Sequence, residues 1–210
     1  MKKRFLCIAF LCTLIPAMVV AGSAFASEKG AVKTSGGWAY SVAVGHPGGD
    51  VTPSEAMKMV MDDTAHTFIV DVRTRPEYTF VGHPAAAYHV PSKFWTGKMI
   101  EKEGKPDFEL VDNPHFAKDL LARFNPETDT LIFMCRSGKR SCQGAEKAIK
   151  AGFKPDKVFN MLGGFEGDKV KCKVSAFNGL RMLGGWKNEG LPWTYHLDKK
   201  LCYDSFQAAK

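Results

Sequence analysis

The residues best suited to chemistry lie in one short stretch, residues 131–141, with the sequence LIFMCRSGKRS. Cys135 follows four apolar residues of a predicted strand, and Arg136, Lys139 and Arg140 follow it within five positions. A cysteine between a strand and a helix N-terminus lies near free N–H groups and the positive end of the helix dipole. Nearby cations favour the thiolate, which is the nucleophilic form of cysteine. The stretch therefore predicts a reactive thiol at Cys135.

The residues after this thiol are suited to hold an anion. Gly138 can adopt the positive φ of a tight turn, so that successive amides point at one spot and form an anion-binding nest. Ser141 is the expected N-cap of the following helix. We predict that the residues of this loop bind the substrate, namely Arg136, Ser137, Gly138, Lys139, Arg140 and Ser141. The alternative is a structural cysteine before a capped helix, with cations that only face solvent.

The elements that must position this loop alternate between strand and helix. Strands are predicted at residues 67–72, 86–91, 130–134 and 158–162, and most of them are nearly continuous apolar runs, as in a parallel sheet buried on both faces. Helices are predicted from Pro53 after a Thr52–Glu55 capping box, over residues 114–124, and over 141–151. The order predicts an α/β fold with a central, mostly parallel β-sheet flanked by helices on both faces. Residues 92–112 are expected to form a surface excursion.

The N-terminus has the pattern of a secretory signal peptide. Residues 1–4 carry positive charge, residues 5–20 are mostly apolar, and Ala24-Phe25-Ala26 has the small residues of a cleavage site. The alternative is a membrane anchor, but the apolar run is short for the roughly 20 residues that span a bilayer. We predict cleavage after Ala26 and a periplasmic or secreted protein. The mature chain would have an extension over residues 27–50, a domain over 51–195 and a tail over 196–210.

Charge and cysteine content narrow the partners. Without residues 1–26 the chain is mildly basic and its lysines are scattered, which argues against nucleic acid binding. We also expect no membrane contact after cleavage of the signal peptide. Four cysteines remain, and three full pairings are open. A Cys172–Cys202 bridge would fix a tail of little regular periodicity. Cys142 is either a resolving thiol for Cys135 or a small core residue. The histidines have no metal spacing, so we expect neither a metal nor a cofactor.

Several segments together are similar to one family. The loop CRSGKRS resembles the active-site loop of rhodanese-type sulfurtransferases. Four further segments resemble that family in the same order: FIVDVRTRPEY at 68–78, GHPAAAYHVP at 82–91, VFNMLGGFEG at 158–167 and GWKNEGLPW at 185–193. The resemblance covers residues 51–193.

The resemblance implies a single-domain sulfurtransferase, a monomer without a cofactor. Cys135 would accept a sulfane sulfur from thiosulfate or a similar donor and pass the persulfide sulfur to a thiophilic acceptor such as cyanide, a thiol or a protein thiol. The loop amides would hold the persulfide, and the Arg and Lys side chains would bind the donor. Asp71, Arg73 and Glu77 would hold loops through ion pairs, and the histidines at 83 and 89 would serve structure.

Three other functions remain as alternatives. A phosphatase or arsenate reductase of this fold needs Cys-x5-Arg, whereas the sixth residue after Cys135 is Ser141, so this class is disfavoured. A protein that carries a persulfide or an anion in a periplasmic sulfur pathway, without turnover, would use the same loop. A thiol–disulfide oxidoreductase would use Cys135 with Cys142, but the chain has no CxxC motif.

Overall fold

The computed structural model describes residues 31–33, 39–41 and 48–204, so the predicted signal peptide lies outside the described residues. The strands are β1 (Ala31–Lys33), β2 (Ala39–Ser41), β3 (Asp50–Val51), β4 (Thr67–Asp71), β5 (His83–Pro84), β6 (Tyr88–His89), β7 (Lys93–Lys102), β8 (Lys105–Asp112), β9 (Thr130–Met134), β10 (Val158–Met161), β11 (Asp168–Lys169), β12 (Arg181–Leu183) and β13 (Trp193–Thr194). The helices are α1 (Pro53–Asp62), α2 (Phe116–Leu121) and α3 (Lys139–Lys150), with a π-helical turn at Glu77–Val81 and a 3-10 turn at Pro155–Lys157.

A five-stranded parallel sheet forms the centre of the fold, in the strand order β3-β10-β9-β4-β6. Because successive side chains of a strand point to opposite faces, β4 and β9 supply two apolar layers. Val70, Leu131 and Phe133 pack with residues of α2 and α3, whereas Ile69, Ile132 and Met134 pack with residues of α1. The predicted α/β fold, with helices on both faces of a parallel sheet, is therefore confirmed.

Helix α1 begins as its sequence predicts. The Thr52 Oγ1 accepts a hydrogen bond from the Glu55 backbone N–H at 3.2 Å, and the Glu55 carboxylate accepts one from the Thr52 N–H at 2.8 Å. Pro53 occupies the first turn, where its missing N–H costs nothing. This reciprocal capping box fixes the helix start next to β3.

Helix α3 begins two residues earlier than expected, and this moves the role of Ser141. The N-cap is Gly138, with φ of 106°, and the Cys142 N–H donates to the Gly138 carbonyl at 3.1 Å. The prediction that Ser141 is the N-cap is therefore wrong, since a glycine with positive φ ends the turn before it. Ser141 instead lies buried in the first turn of the helix.

Two surface segments also differ from expectation. Residues 92–112 lie at the surface, as predicted, but they form a regular antiparallel hairpin of β7 and β8. Both faces of this hairpin are largely exposed, so its sequence lacks the alternation that marks a half-buried strand. The segment after Gly167 contains a second hairpin, β11–β12, and β13 pairs with β5. None of the helices in the described part of the chain has the length and hydropathy that a membrane crossing requires.

Candidate active site

Cys135 lies directly after the central strand β9 and is only 2% exposed. Its carbonyl accepts a hydrogen bond from the Phe165 N–H at 2.8 Å, and the carbonyl of Arg136 accepts one from the Glu166 N–H at 3.0 Å. Gly164 makes this contact sterically possible, because a Cβ there would lie 2.4 Å from the Cys135 oxygen. The turn after β10 therefore fixes the backbone of the thiol loop.

Two donors of the predicted loop reach the sulfur atom. The Gly138 N–H lies 3.2 Å from the Cys135 Sγ, and the Ser141 Oγ lies 3.3 Å from it. The Ser141 hydroxyl is also 2.9 Å from the Gly138 carbonyl, so its one proton can serve either acceptor. These donors stabilise negative charge on sulfur, and the first N–H groups of α3 have no acceptor within the helix. Cys135, Gly138 and Ser141 thus meet as a unit.

The cations of the loop separate into two kinds. Arg136 and Lys139 are exposed, whereas Arg140 forms a bidentate ion pair with Glu77, with N–O distances of 2.8 and 2.6 Å. Its charge is thus matched by a carboxylate 63 positions away in sequence. The Arg140 guanidinium thus already has a carboxylate partner, whereas its contact with the donor stays a prediction.

The Glu77–Arg140 ion pair keeps both side chains charged. Burial would raise the pKa of Glu77, but hydrogen bonds and charge from Arg140, with hydrogen bonds from Thr74, outweigh burial and lower that pKa to about 2. Burial likewise opposes the charged form of Arg140, yet the hydrogen bonds and charge of Glu77 outweigh burial and raise the Arg140 pKa, with a smaller contribution from Cys135. The pair joins the first turn of α3 to the turn after β4.

A second ion pair fixes the end of β4. Asp71 and Arg73 are both fully buried, and the Arg73 Nη2 lies 2.6 Å from the Asp71 Oδ2 and donates to the Gly82 carbonyl, also at 2.6 Å. The Arg73 guanidinium lies 4.4 Å from the centre of the Phe165 ring, next to the turn that holds the thiol loop. These contacts agree with the prediction that Asp71, Arg73 and Glu77 hold loops.

The two histidines of interest pack on a tyrosine. His83 and His89 each stack on Tyr78, at 3.6 and 4.4 Å between ring centroids. The His89 Nε2 lies 2.9 Å from the Arg73 carbonyl, which it reaches as a donor. Burial lowers the pKa of His89 to about 4 and also lowers that of His83. Both rings are thus neutral parts of the core at neutral pH.

The remaining cysteines do not form the expected bridge. None of the described cysteines is in a disulfide. Cys172 is exposed in the β11–β12 hairpin, whereas Cys202 follows Leu201, whose carbonyl accepts the His89 N–H at 2.8 Å beside the outer strand β6. The two thiols are held by different parts of the fold, so the Cys172–Cys202 bridge is absent.

Cys142 is 6% exposed, and burial is the largest cause that raises its pKa to about 11. A raised pKa suits a core residue better than a resolving thiol.

One cation near the thiol was missed from the sequence. Arg181 of β12 donates from Nη1 to the Gly167 carbonyl at 2.8 Å, and its charge interacts with Cys135 and Arg136. It lies 46 positions after the thiol in sequence, in a segment without regular periodicity. Only the fold brings it to the loop.

Comparison with known proteins agrees with this geometry. The family model "Rhodanese-like domain" matches residues 52–170, more than half of the chain. The chain therefore belongs to the rhodanese-like family, which places it in the sulfurtransferase superfamily.

Relatives of the chain include both sequences and a crystal structure. "Uncharacterized protein RP600" of Rickettsia prowazekii is 33% identical over 131 residues, which cover 62% of this chain and 85% of that protein. "Rhodanese-like domain-containing protein 17" of Arabidopsis thaliana is 33% identical over 114 residues, 53% of this chain and 62% of that one. The crystal structure of Rv0390 from M. tuberculosis has a TM-score of 0.53 and 33% identity, covering 70% of this chain and 98% of that one.

Proposed function

We propose that the protein is a thiosulfate sulfurtransferase that carries sulfur as a persulfide on Cys135. The observation that carries this proposal is the buried thiol with the Gly138 N–H and the Ser141 hydroxyl within 3.3 Å of its sulfur. Two donors directed at one sulfur atom at the start of a helix favour an anionic sulfur there. A structural cysteine has no need of them.

The proposed reaction has two half-reactions. The Cys135 thiolate attacks the outer sulfur of thiosulfate, a bond forms between the two sulfurs, and sulfite leaves with the electron pair of the broken bond. The persulfide anion is then attacked at its terminal sulfur by cyanide or another thiophile, which leaves as thiocyanate or a new persulfide and restores the thiolate. A covalent intermediate between two substrates predicts ping-pong kinetics.

The residues of the loop have distinct proposed roles. Gly138 and Ser141 stabilise the charge on sulfur, and Arg136 and Lys139 attract the anionic donor from solvent. Arg140, bound to Glu77, positions the first turn of α3. We further propose that the protein acts in the periplasm or outside the cell, on the basis of the signal-peptide pattern of residues 1–26.

The second candidate is a persulfide or anion carrier without turnover. It is favoured by the burial of Cys135, because a thiol that is 2% exposed would shield its persulfide from small thiophiles in solution. Steady-state assay of the purified protein with thiosulfate and cyanide separates the two. Parallel lines in double-reciprocal plots, with activity lost in Cys135→Ser, support the enzyme. Stable persulfide without thiocyanate release supports the carrier.

A further inference from the structure

The segment between the turn after β10 and Trp186 places a hairpin beside the thiol loop. This rim hairpin, residues 168–183, contains β11 and β12, with Lys169 opposite Arg181. Its base is closed tightly, because a Cβ on Gly167 would lie 2.2 Å from the Gly184 oxygen. The Asn188 amide also donates to the Gly184 carbonyl at 2.7 Å. The base of the hairpin is therefore fixed.

Three consecutive residues, 165–167, connect the base of the rim hairpin to the loop that contains Cys135. The Phe165 and Glu166 N–H groups donate to the carbonyls of Cys135 and Arg136 at 2.8 and 3.0 Å. The next residue, Gly167, accepts the Arg181 guanidinium through its carbonyl at 2.8 Å. Arg181 is thus held one residue beyond the segment that pairs with the thiol loop.

The charges around Arg181 are incompletely balanced. Burial and the like charge of Arg136 lower the Arg181 pKa, and they outweigh Glu166, Asp168 and Cys135, which act in the opposite direction. Arg140 differs, because a bidentate carboxylate matches its charge. The charges of Arg181 and Arg136 repel each other, and an anion that contacted both guanidinium groups would reduce this repulsion.

We propose that Arg181, together with Arg136, binds the oxyanion end of the sulfur donor and makes the site selective for donors that carry a sulfonate-like group. This inference rests on the proposed function. Arg181 would contact the oxygens of thiosulfate while the Cys135 Sγ attacks its outer sulfur. As the sulfur–sulfur bond of the donor breaks, the electron pair moves to the leaving sulfite, whose oxygens the guanidinium groups stabilise.

A structural role is the alternative, since Arg181 also holds the hairpin to Gly167. Two substitutions distinguish charge from anchoring. Arg181→Gln keeps a side-chain N–H donor but removes the charge, whereas Arg181→Lys keeps the charge. Arg123→Gln is the matched control, because Arg123 also donates to a backbone carbonyl, that of Cys202 at 3.1 Å, in another part of the fold.

The experiment measures the rate constant for persulfide formation on Cys135 by mass spectrometry, with two donors. Thiosulfate carries oxygens and releases sulfite. The hydrodisulfide anion HSS⁻ carries none, and after transfer of one sulfur atom to Cys135 its leaving group is HS⁻. We expect Arg181→Gln to slow the thiosulfate reaction about tenfold or more, the order expected for a lost hydrogen bond to a charged group. The reaction with hydrodisulfide should change less than about threefold. Arg181→Lys should recover most of the thiosulfate rate, and Arg123→Gln should change neither rate.

The outcomes separate this inference from the proposed function. If the unsubstituted protein forms no persulfide with either donor, the proposed function fails. If it does form one, and Arg181→Gln leaves the thiosulfate rate unchanged or slows both donors equally, Arg181 does not select the oxyanion and the inference is wrong. A loss specific to thiosulfate supports it.

Discussion

The bidentate ion pair between Glu77 and Arg140 joins α3 to the turn after β4, and we expect Glu77→Gln to break it. Both side chains are 20% exposed, so the substitution leaves a largely buried guanidinium without its carboxylate. The difference between the ordinary pKa of 4.5 and about 2 in the fold corresponds to about 3 kcal/mol of stability at neutral pH. Glu77→Gln should therefore lower the free energy of unfolding by about this amount at pH 7.

The contribution of Glu77 to the free energy of unfolding should depend on pH. A carboxyl whose pKa is depressed in the fold stabilises the protein fully above 4.5, and this stability is lost as the pH falls from 4.5 toward 2. Urea unfolding of the protein and of Glu77→Gln should differ most at pH 7 and converge at low pH. A difference that persists unchanged at pH 2 would contradict the assignment of the effect to the Glu77 charge.

An exposed ion pair supplies the control. Lys154 and Glu127 are 47% and 67% exposed, and Glu127→Gln should have a much smaller effect on unfolding than Glu77→Gln. The double substitution Glu77→Gln with Arg140→Gln should be less destabilising than the sum of the single ones, because both remove the same pair. Additive effects would mean that the pair is not coupled.

Three further predictions concern the core and the loop. The pKa of His89 is lowered from 6.5 to about 4, so the free energy of unfolding should fall by about 3 kcal/mol as the pH falls between these values, because only the unfolded state gains the proton. His89→Gln should flatten this part of the plot of unfolding free energy against pH. Gly164→Ala should destabilise the protein and slow Cys135 alkylation more than Gly190→Ala, because Gly190 has a φ of 71°, close to the 56° of Gly164, but open space around it. Ser141→Ala should slow alkylation of the same thiol at neutral pH by about fivefold, the equivalent of one hydrogen bond, as measured with iodoacetamide and peptide mapping.

The local patterns of the sequence predicted the frame of the site. The apolar run before Cys135 and the glycine at 138 are properties of neighbouring residues, so the order of strand, thiol and helix follows from them. The Thr52–Glu55 capping box is likewise local, and the structure contains it.

The parts that the sequence did not predict depend on contacts between distant segments. Arg140 meets Glu77 across 63 positions, and Arg181 reaches the loop only because the rim hairpin folds back beside Gly167. Helix α3 begins earlier than predicted because a glycine with a φ of 106° is its N-cap, whereas a serine is the commoner N-cap residue. The β7–β8 hairpin was missed because both its faces are exposed and its pattern has no period.

The central claim is that Cys135 carries the transferred sulfur. The direct measurement is mass spectrometry of the protein after incubation with thiosulfate, with the modified peptide identified. We predict a gain of one sulfur atom on the peptide that contains Cys135, lost on addition of cyanide and absent in Cys135→Ser, whereas Cys172→Ser, which removes an exposed thiol, should retain it. No gain of sulfur, or a gain that persists in Cys135→Ser, would contradict the account.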